Sequence, residues 1–271
     1  MLDKVGSFLL LYHREGGSRY WEIDVLRAVA IVNMVIYHLA YDLRFLGYTQ
    51  TNVTVGAWQV YQRAIATSFV SLAGVVLAVS YARASLRASG WDLYKTYLAR
   101  GLKLIGWGMV ITLVTGVYME QWVVIIGILH LIGAATILSI PFLAFRPADT
   151  RLHVALYLGL GVALIALGSY LNLVPVTYPW LLIFGLRPPT LFQFDYFPLL
   201  PWFGVSLLGV LAGQVLYPGG VRRFELPAWG EQAGIKQLGW LGRHSLAIYL
   251  IHQPILFGIF YLISIFSGTA S

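Results

Sequence analysis

No cysteine occurs in the chain, so disulfides, thiolate nucleophiles and zinc–thiolate sites are excluded. Charge is scarce too. Asp, Glu, Lys and Arg make up 11% of the 271 residues, while 59% are hydrophobic; soluble domains are about a quarter charged. With a mean hydropathy of +0.75, the expected class is a polytopic membrane protein. The opening stretch, MLDKVGSFLLLYHREGGSRYWE, lacks the features of a secretory leader. Its apolar run, Phe8 to Tyr12, is too short, and no small-residue cleavage site follows. Residues 1–20 are therefore expected to form a cytoplasmic N-terminal segment, and 21–271 a single transmembrane domain. No clear internal repeat is visible.

The apolar runs predict an all-α helix bundle. Seven segments are long enough to cross roughly 30 Å of hydrocarbon as helices: residues 22–46, 58–82, 98–118, 122–144, 152–173, 197–217 and 241–266. The run YPWLLIFGL, Tyr178 to Leu186, is too short to span and is expected to be re-entrant or interfacial. With the N-terminus inside, every Lys and Arg except Arg44, Arg63 and Arg187 falls on the cytoplasmic side. The positive-inside rule then gives an N-in, C-out orientation. The excess of basic residues is thus a topology signal, and no nucleic-acid partner is expected. The outer aromatic residues Trp58, Tyr61, Tyr118, Trp122, Tyr178 and Trp180 read as an interfacial belt.

What remains polar inside these runs is concentrated in the first, EIDVLRAVAIVNMVIYHLAYDL. At 100° per residue, Asp24, Arg27, His38 and Asp42 share one arc about 60° wide. Charged groups on a lipid-facing stripe are costly, so this stripe should face the bundle interior or a wet cavity. Asn33 lies on the opposite side and reads as a helix–helix hydrogen-bond residue. Asp24 and Arg27, three residues apart, can pair at the cytoplasmic mouth. His38 and Asp42, four apart, are within reach of a carboxylate–imidazole contact that would set the ring's tautomer and raise its basicity. Asp42 can equally pair with Arg44. Arg27 and His38 are about 16 Å apart along the axis, close to the reach of an extended pantetheine arm.

This first span resembles that of transmembrane acyltransferases. In particular, it is similar to the bacterial heparan-alpha-glucosaminide N-acetyltransferase-like catalytic domain family. The Arg27 and His38 spacing matches a pattern of the wider membrane acyltransferase superfamily. FDYFPLLPWFGVSLLGVLAG (Phe194–Gly213), LGRHSLAIYLIHQPIL (Leu241–Leu256) and GILHLIGAATILS (Gly127–Ser139) resemble further family stretches in the same order. The resemblance implies transfer of an acetyl or short acyl group from cytosolic acyl-CoA to a hydroxyl or amine of an extracytoplasmic sugar or glycan. It places the protein in the inner cell membrane as a multi-pass enzyme. The lysosomal branch carries Asn where this chain has His38, with its catalytic His in a later luminal loop. The loop here, GYTQTNVTVGAW, has no His, which moves the expected general base to His38, with Asp42 orienting the ring. Arg27, Asp24, Arg100, Lys103, Arg243 and His244 are the candidate residues for the CoA end.

The candidate acceptor-binding residues are Asp195, Tyr196, His130, His252 and Gln253. Several have a plainer reading: Asp195 as a carboxylate at a helix N-terminus, and His252 and Gln253 as polar groups beside the kink expected at Pro254. No metal is expected; His38, Asp42 and His252 are the nearest approach to a ligand set. The last span has no lysine, which argues against a Schiff-base retinal protein. Two other functions share the intramembrane polar stripe: a small-molecule or proton-coupled transporter and a non-catalytic envelope assembly partner. Oligomeric state is open, a homodimer included.

Overall fold

The structure, a computed structural model, describes residues 19–118, 123–145, 149–177, 179–188 and 195–266. Among these residues it is helical and contains no strand. The helices are α1 (Trp21–Phe45), α2 (Gly56–Ala84), α3 (Gly90–Tyr118), α4 (Ile128–Leu138), α5 (Ile140–Ala144), α6 (Thr150–Leu171), α7 (Leu199–Leu216), α8 (Ala233–Arg243) and α9 (Ser245–Phe266). Helices α1, α2, α3, α6, α7 and α9 are long and apolar enough to cross a membrane. The chain is a multi-pass helical membrane protein. The re-entrant candidate contains a short 3-10 helix, Pro179–Phe184; Tyr178 lies outside the described residues, as do residues 1–18, Trp122 and Arg146.

The predicted fourth span is where pattern and structure differ. It is realised as an 11-residue helix and a five-residue helix joined at Ser139. Pro141 lies at the start of the second helix. It has no N–H to continue the ladder, and its fixed φ suits a helix's first turn. Residues 123–127 ahead of α4 are not helical, yet their backbone is served from elsewhere. The Thr112 hydroxyl donates to the Val124 carbonyl at 2.6 Å, the Val124 N–H donates to Thr115 Oγ1 at 3.1 Å, and the Phe197 N–H donates to the Ile126 carbonyl at 2.8 Å. Irregular backbone at membrane depth requires such internal partners. The Asp149 side chain caps α6, accepting from the N–H groups of Arg151 and Leu152.

The chain divides into two compact units, Met1–Phe69 with Leu226–Ser271, and Val70–Glu225. In the first unit α1 packs against α8 and α9. The approach of α8 is so close that a Cβ on Gly242 would overlap the Asp24 carbonyl oxygen. The Tyr61 hydroxyl donates to Asn33 Oδ1 at 2.6 Å, tying α2 to α1 as the position of Asn33 on the wheel led one to expect. In the second unit the core gathers Tyr81, Tyr97, Leu143, Tyr157 and Val210 from α2, α3, α5, α6 and α7. Lipid offers no hydrophobic drive between helices, so small residues that admit close packing matter more.

Helices α3 and α4 illustrate this. A Cβ on Gly133 would lie 2.6 Å from the Gly101 carbonyl oxygen and 2.7 Å from Ile105 Cγ1. Gly133→Val is therefore expected to cost about 1–3 kcal/mol through overpacking, read as a lower thermal unfolding midpoint in detergent. Gly106→Ala, where nothing lies within 4 Å of the added carbon, should leave the midpoint unchanged.

Candidate functional site

The predicted site residues fall into two groups, one in each unit. The first lies along α1, α8 and α9. At the beginning of α1, Asp24 Oδ2 is 3.8 Å from Arg243 Nη1 of α8. The Arg27 guanidinium donates from Nη2 to Ser245 Oγ at 2.9 Å. Asp24 thus feels the charges of Arg27 on its own helix and of Arg243 on α8, and Arg27 also reaches the first residue of α9. Ser245 is buried and was not among the sequence candidates. Its position at the start of an apolar run, directly after Arg243 and His244, is the signal that marks it. The His244 ring faces Trp240, with centroids 4.3 Å apart, and its Nδ1 bonds the Trp240 carbonyl at 2.8 Å. It is held by its own helix end, apart from the Arg27 contact.

Further along α1, three predicted residues meet. The Gln253 amide nitrogen donates to His38 Nδ1 at 2.8 Å, and the Gln253 side chain also bonds the Asp42 carboxylate. The amide nitrogen carries two hydrogens and a carboxylate accepts, so one –NH₂ group bridges imidazole and carboxylate. The expected His38–Asp42 contact is therefore made through Gln253 of α9. Asp42 is 1% exposed, and its Oδ2 has no hydrogen-bond partner among the described residues; neither does Gln253 Oε1. His252, the neighbour of Gln253, places its ring edge-to-face on His38, with centroids 4.9 Å apart and planes at 66°. Tyr37 approaches His38 from its own helix at 6.0 Å, and its hydroxyl donates to the Val53 carbonyl.

The sequence explains why α9 can do this. Pro254 lies inside the helix, without an N–H for the carbonyl one turn earlier. His252 and Gln253 precede it directly, and the His252 Nδ1 bonds the Tyr249 carbonyl at 2.6 Å. The ring is anchored locally, while the Gln253 side chain reaches α1.

The second group is in the other unit, around the beginning of α4. Asp195 Oδ2 accepts from the Ile128 N–H at 3.3 Å, the favourable place for a carboxylate at a helix N-terminus. His130 Nδ1 accepts from the Gly127 N–H at 3.2 Å. The Tyr196 hydroxyl donates to the Leu182 carbonyl at 2.7 Å. Burial pushes the Tyr196 phenol up to about 12, against the pull of Arg187 in the other direction, so it is a neutral donor. Arg100 donates to Ser80 Oγ at 2.5 Å and lies 4.7 Å from the centre of the Tyr97 ring. Lys103 belongs to the same unit, one turn further along α3.

The first group has the greater chemical reach. It brings two imidazoles, a carboxylate and an amide together, while cations gather near the start of α9. Among the described residues, no group of three or more His, Asp or Glu is placed to hold a metal ion.

Comparison with known proteins agrees with the pattern of motifs. The model of the family described as heparan-alpha-glucosaminide N-acetyltransferase, catalytic, matches residues 19–254. That range contains both groups and ends just after His252 and Gln253. No curated protein and no solved structure matches the chain. The family match covers most of the chain: it is a member of the heparan-alpha-glucosaminide N-acetyltransferase catalytic-domain family.

Proposed function

We propose that the protein moves an acetyl or short acyl group from cytosolic acyl-CoA to a hydroxyl or amine of an extracytoplasmic sugar or glycan, in the inner cell membrane. The observation that carries this reading is the bridge from His38 through Gln253 to Asp42, with His252 against the His38 ring. Ionisable groups in a membrane helix are costly, and a cluster of them marks a functional site by default. Membership of an acetyltransferase family supports acyl transfer as that site's chemistry. The distribution of Lys and Arg supports the N-in, C-out orientation, which puts Arg27 at the cytoplasmic end of α1 and His38 deeper.

In this reading Arg27 and Arg243 hold the donor's phosphates by charge-assisted hydrogen bonds, Arg through its planar fork. Ser245 orients the Arg27 guanidinium. The pantetheine arm then extends along α1 toward His38, about 16 Å further in. His38 is the acid–base residue at the thioester carbonyl. Gln253 holds its ring, and Asp42 holds the Gln253 amide. Such proton-transfer assistance is typically worth about 10²–10⁴-fold.

His38→Ala is expected to lower acetyl-CoA turnover by about that factor, measured as thiol release by the purified full chain in nanodiscs. Turnover equal to wild type in the variant would sink the assignment. Arg27→Ala removes a hydrogen-bonding charge whose net worth is about 1.5–3 kcal/mol. It is expected to weaken CoA binding by about 10- to 100-fold, measured by calorimetry, with a smaller change in maximal rate. An unchanged Kd would place the phosphates elsewhere.

A further inference from the structure

The four nitrogens of the two rings can be told apart by their partners. The Tyr249 carbonyl can only accept, so His252 Nδ1, bonded to it at 2.6 Å, carries the proton. The neutral His252 ring then keeps its lone pair on Nε2. That nitrogen is buried without a hydrogen-bond partner among the described residues, and His252 itself is 7% exposed. At His38 the order is reversed. The Gln253 amide nitrogen can only donate, so His38 Nδ1 accepts at 2.8 Å and the proton of the neutral ring is on Nε2. The rings touch edge to face. One therefore presents an N–H and the other, beside it, a lone pair that nothing uses.

We propose that His252 is a second catalytic residue, with Nε2 as the proton acceptor, and that His38 acts as the N–H donor to the thioester carbonyl. The proposal rests on the acyl-transfer reading and moves proton acceptance from His38, the general base expected from the sequence, to His252, leaving His38 as a hydrogen-bond donor. As the acceptor's oxygen or neutral amine nitrogen bonds to the carbonyl carbon, its proton passes to His252 Nε2. The carbonyl oxygen takes the electron pair and accepts a hydrogen bond from His38 Nε2–H, in the manner of an oxyanion-hole donor. Collapse restores the carbonyl and breaks the carbon–sulfur bond. The departing thiolate takes the proton back from the His252 imidazolium. The products are the acylated acceptor and the CoA thiol, and both rings return to their starting tautomers.

His252 is buried, which keeps the base from water. Gln253 and Asp42 fix the donor tautomer; the Tyr249 carbonyl fixes the acceptor tautomer.

The test uses the full chain in nanodiscs, with isotope-labelled histidine for nitrogen NMR. His252 is expected to show a protonated Nδ1 and a bare Nε2, and His38 a protonated Nε2 and a bare Nδ1. In parallel, acetyl-CoA thioester cleavage is measured with methyl glucosaminide as the probe acceptor. His252→Asn retains an N–H for the Tyr249 carbonyl and removes the basic nitrogen. It is expected to unfold at the wild-type temperature and to lose about 10²–10⁴-fold in turnover. A proton on His252 Nε2 in the resting protein overturns the proposal, whatever the variant does. Wild-type turnover that survives His252→Asn overturns the role of His252 alone. Absence of thioester cleavage by the wild type overturns the acyl-transfer reading and this role with it.

Discussion

Hydrocarbon supplies no hydrogen bonds, so each polar atom in a membrane helix depends on the protein for its partner. In this chain α1 carries the polar groups, and α8 and α9 answer them. Arg27 meets Ser245, and eleven residues later His38 meets Gln253. Both pairs advance in the same chain direction, so α1 and α9 run parallel where they touch. Two contacts at two heights fix the register of α9 on α1. A shift of one residue would turn Gln253 about 100° away and leave both His38 and Asp42 without it. The proposed chemistry and the folding thus draw on the same bonds.

Much of this arrangement was legible in the sequence, and what was not has a physical reason. The shared arc of Asp24, Arg27, His38 and Asp42 follows from helical periodicity within one segment. Asn33 on the opposite face follows from the same rule, and Tyr61 is its partner. The partners themselves depend on how segments more than two hundred residues apart align, which no local period encodes. That is why Asp24 meets Arg243 and why Gln253 stands between His38 and Asp42. Ser245 is harder to single out, because a serine at a helix start has many plain uses. Hydropathy predicts a continuous fourth span because it does not register the loss of an N–H at Pro141. The threonines of α3 that serve residues 123–127 look, in sequence, like ordinary helix residues.

The family and the site inform each other. Membership points to an acetyltransferase family, and the residues of this chain supply the proposed place for the reaction. The loop after α1 has no histidine, and the proposed acid–base chemistry is drawn from the helices instead. Two imidazoles in contact, locked by different neighbours into opposite tautomers, supply both a donor and an acceptor. In the other unit, Asp195 and His130 bond backbone N–H groups at the start of α4, and Tyr196 bonds the Leu182 carbonyl.

The central claim is that acyl transfer takes place on the α1–α9 face. The most direct measurement is an experimental map of the full chain with a non-hydrolysable acetyl-CoA analogue bound. The account predicts density for the acyl carbonyl within hydrogen-bond distance of His38, and for the phosphates beside Arg27 and Arg243. Density that places the acyl group elsewhere, with His38 and His252 packed only against protein, would contradict it.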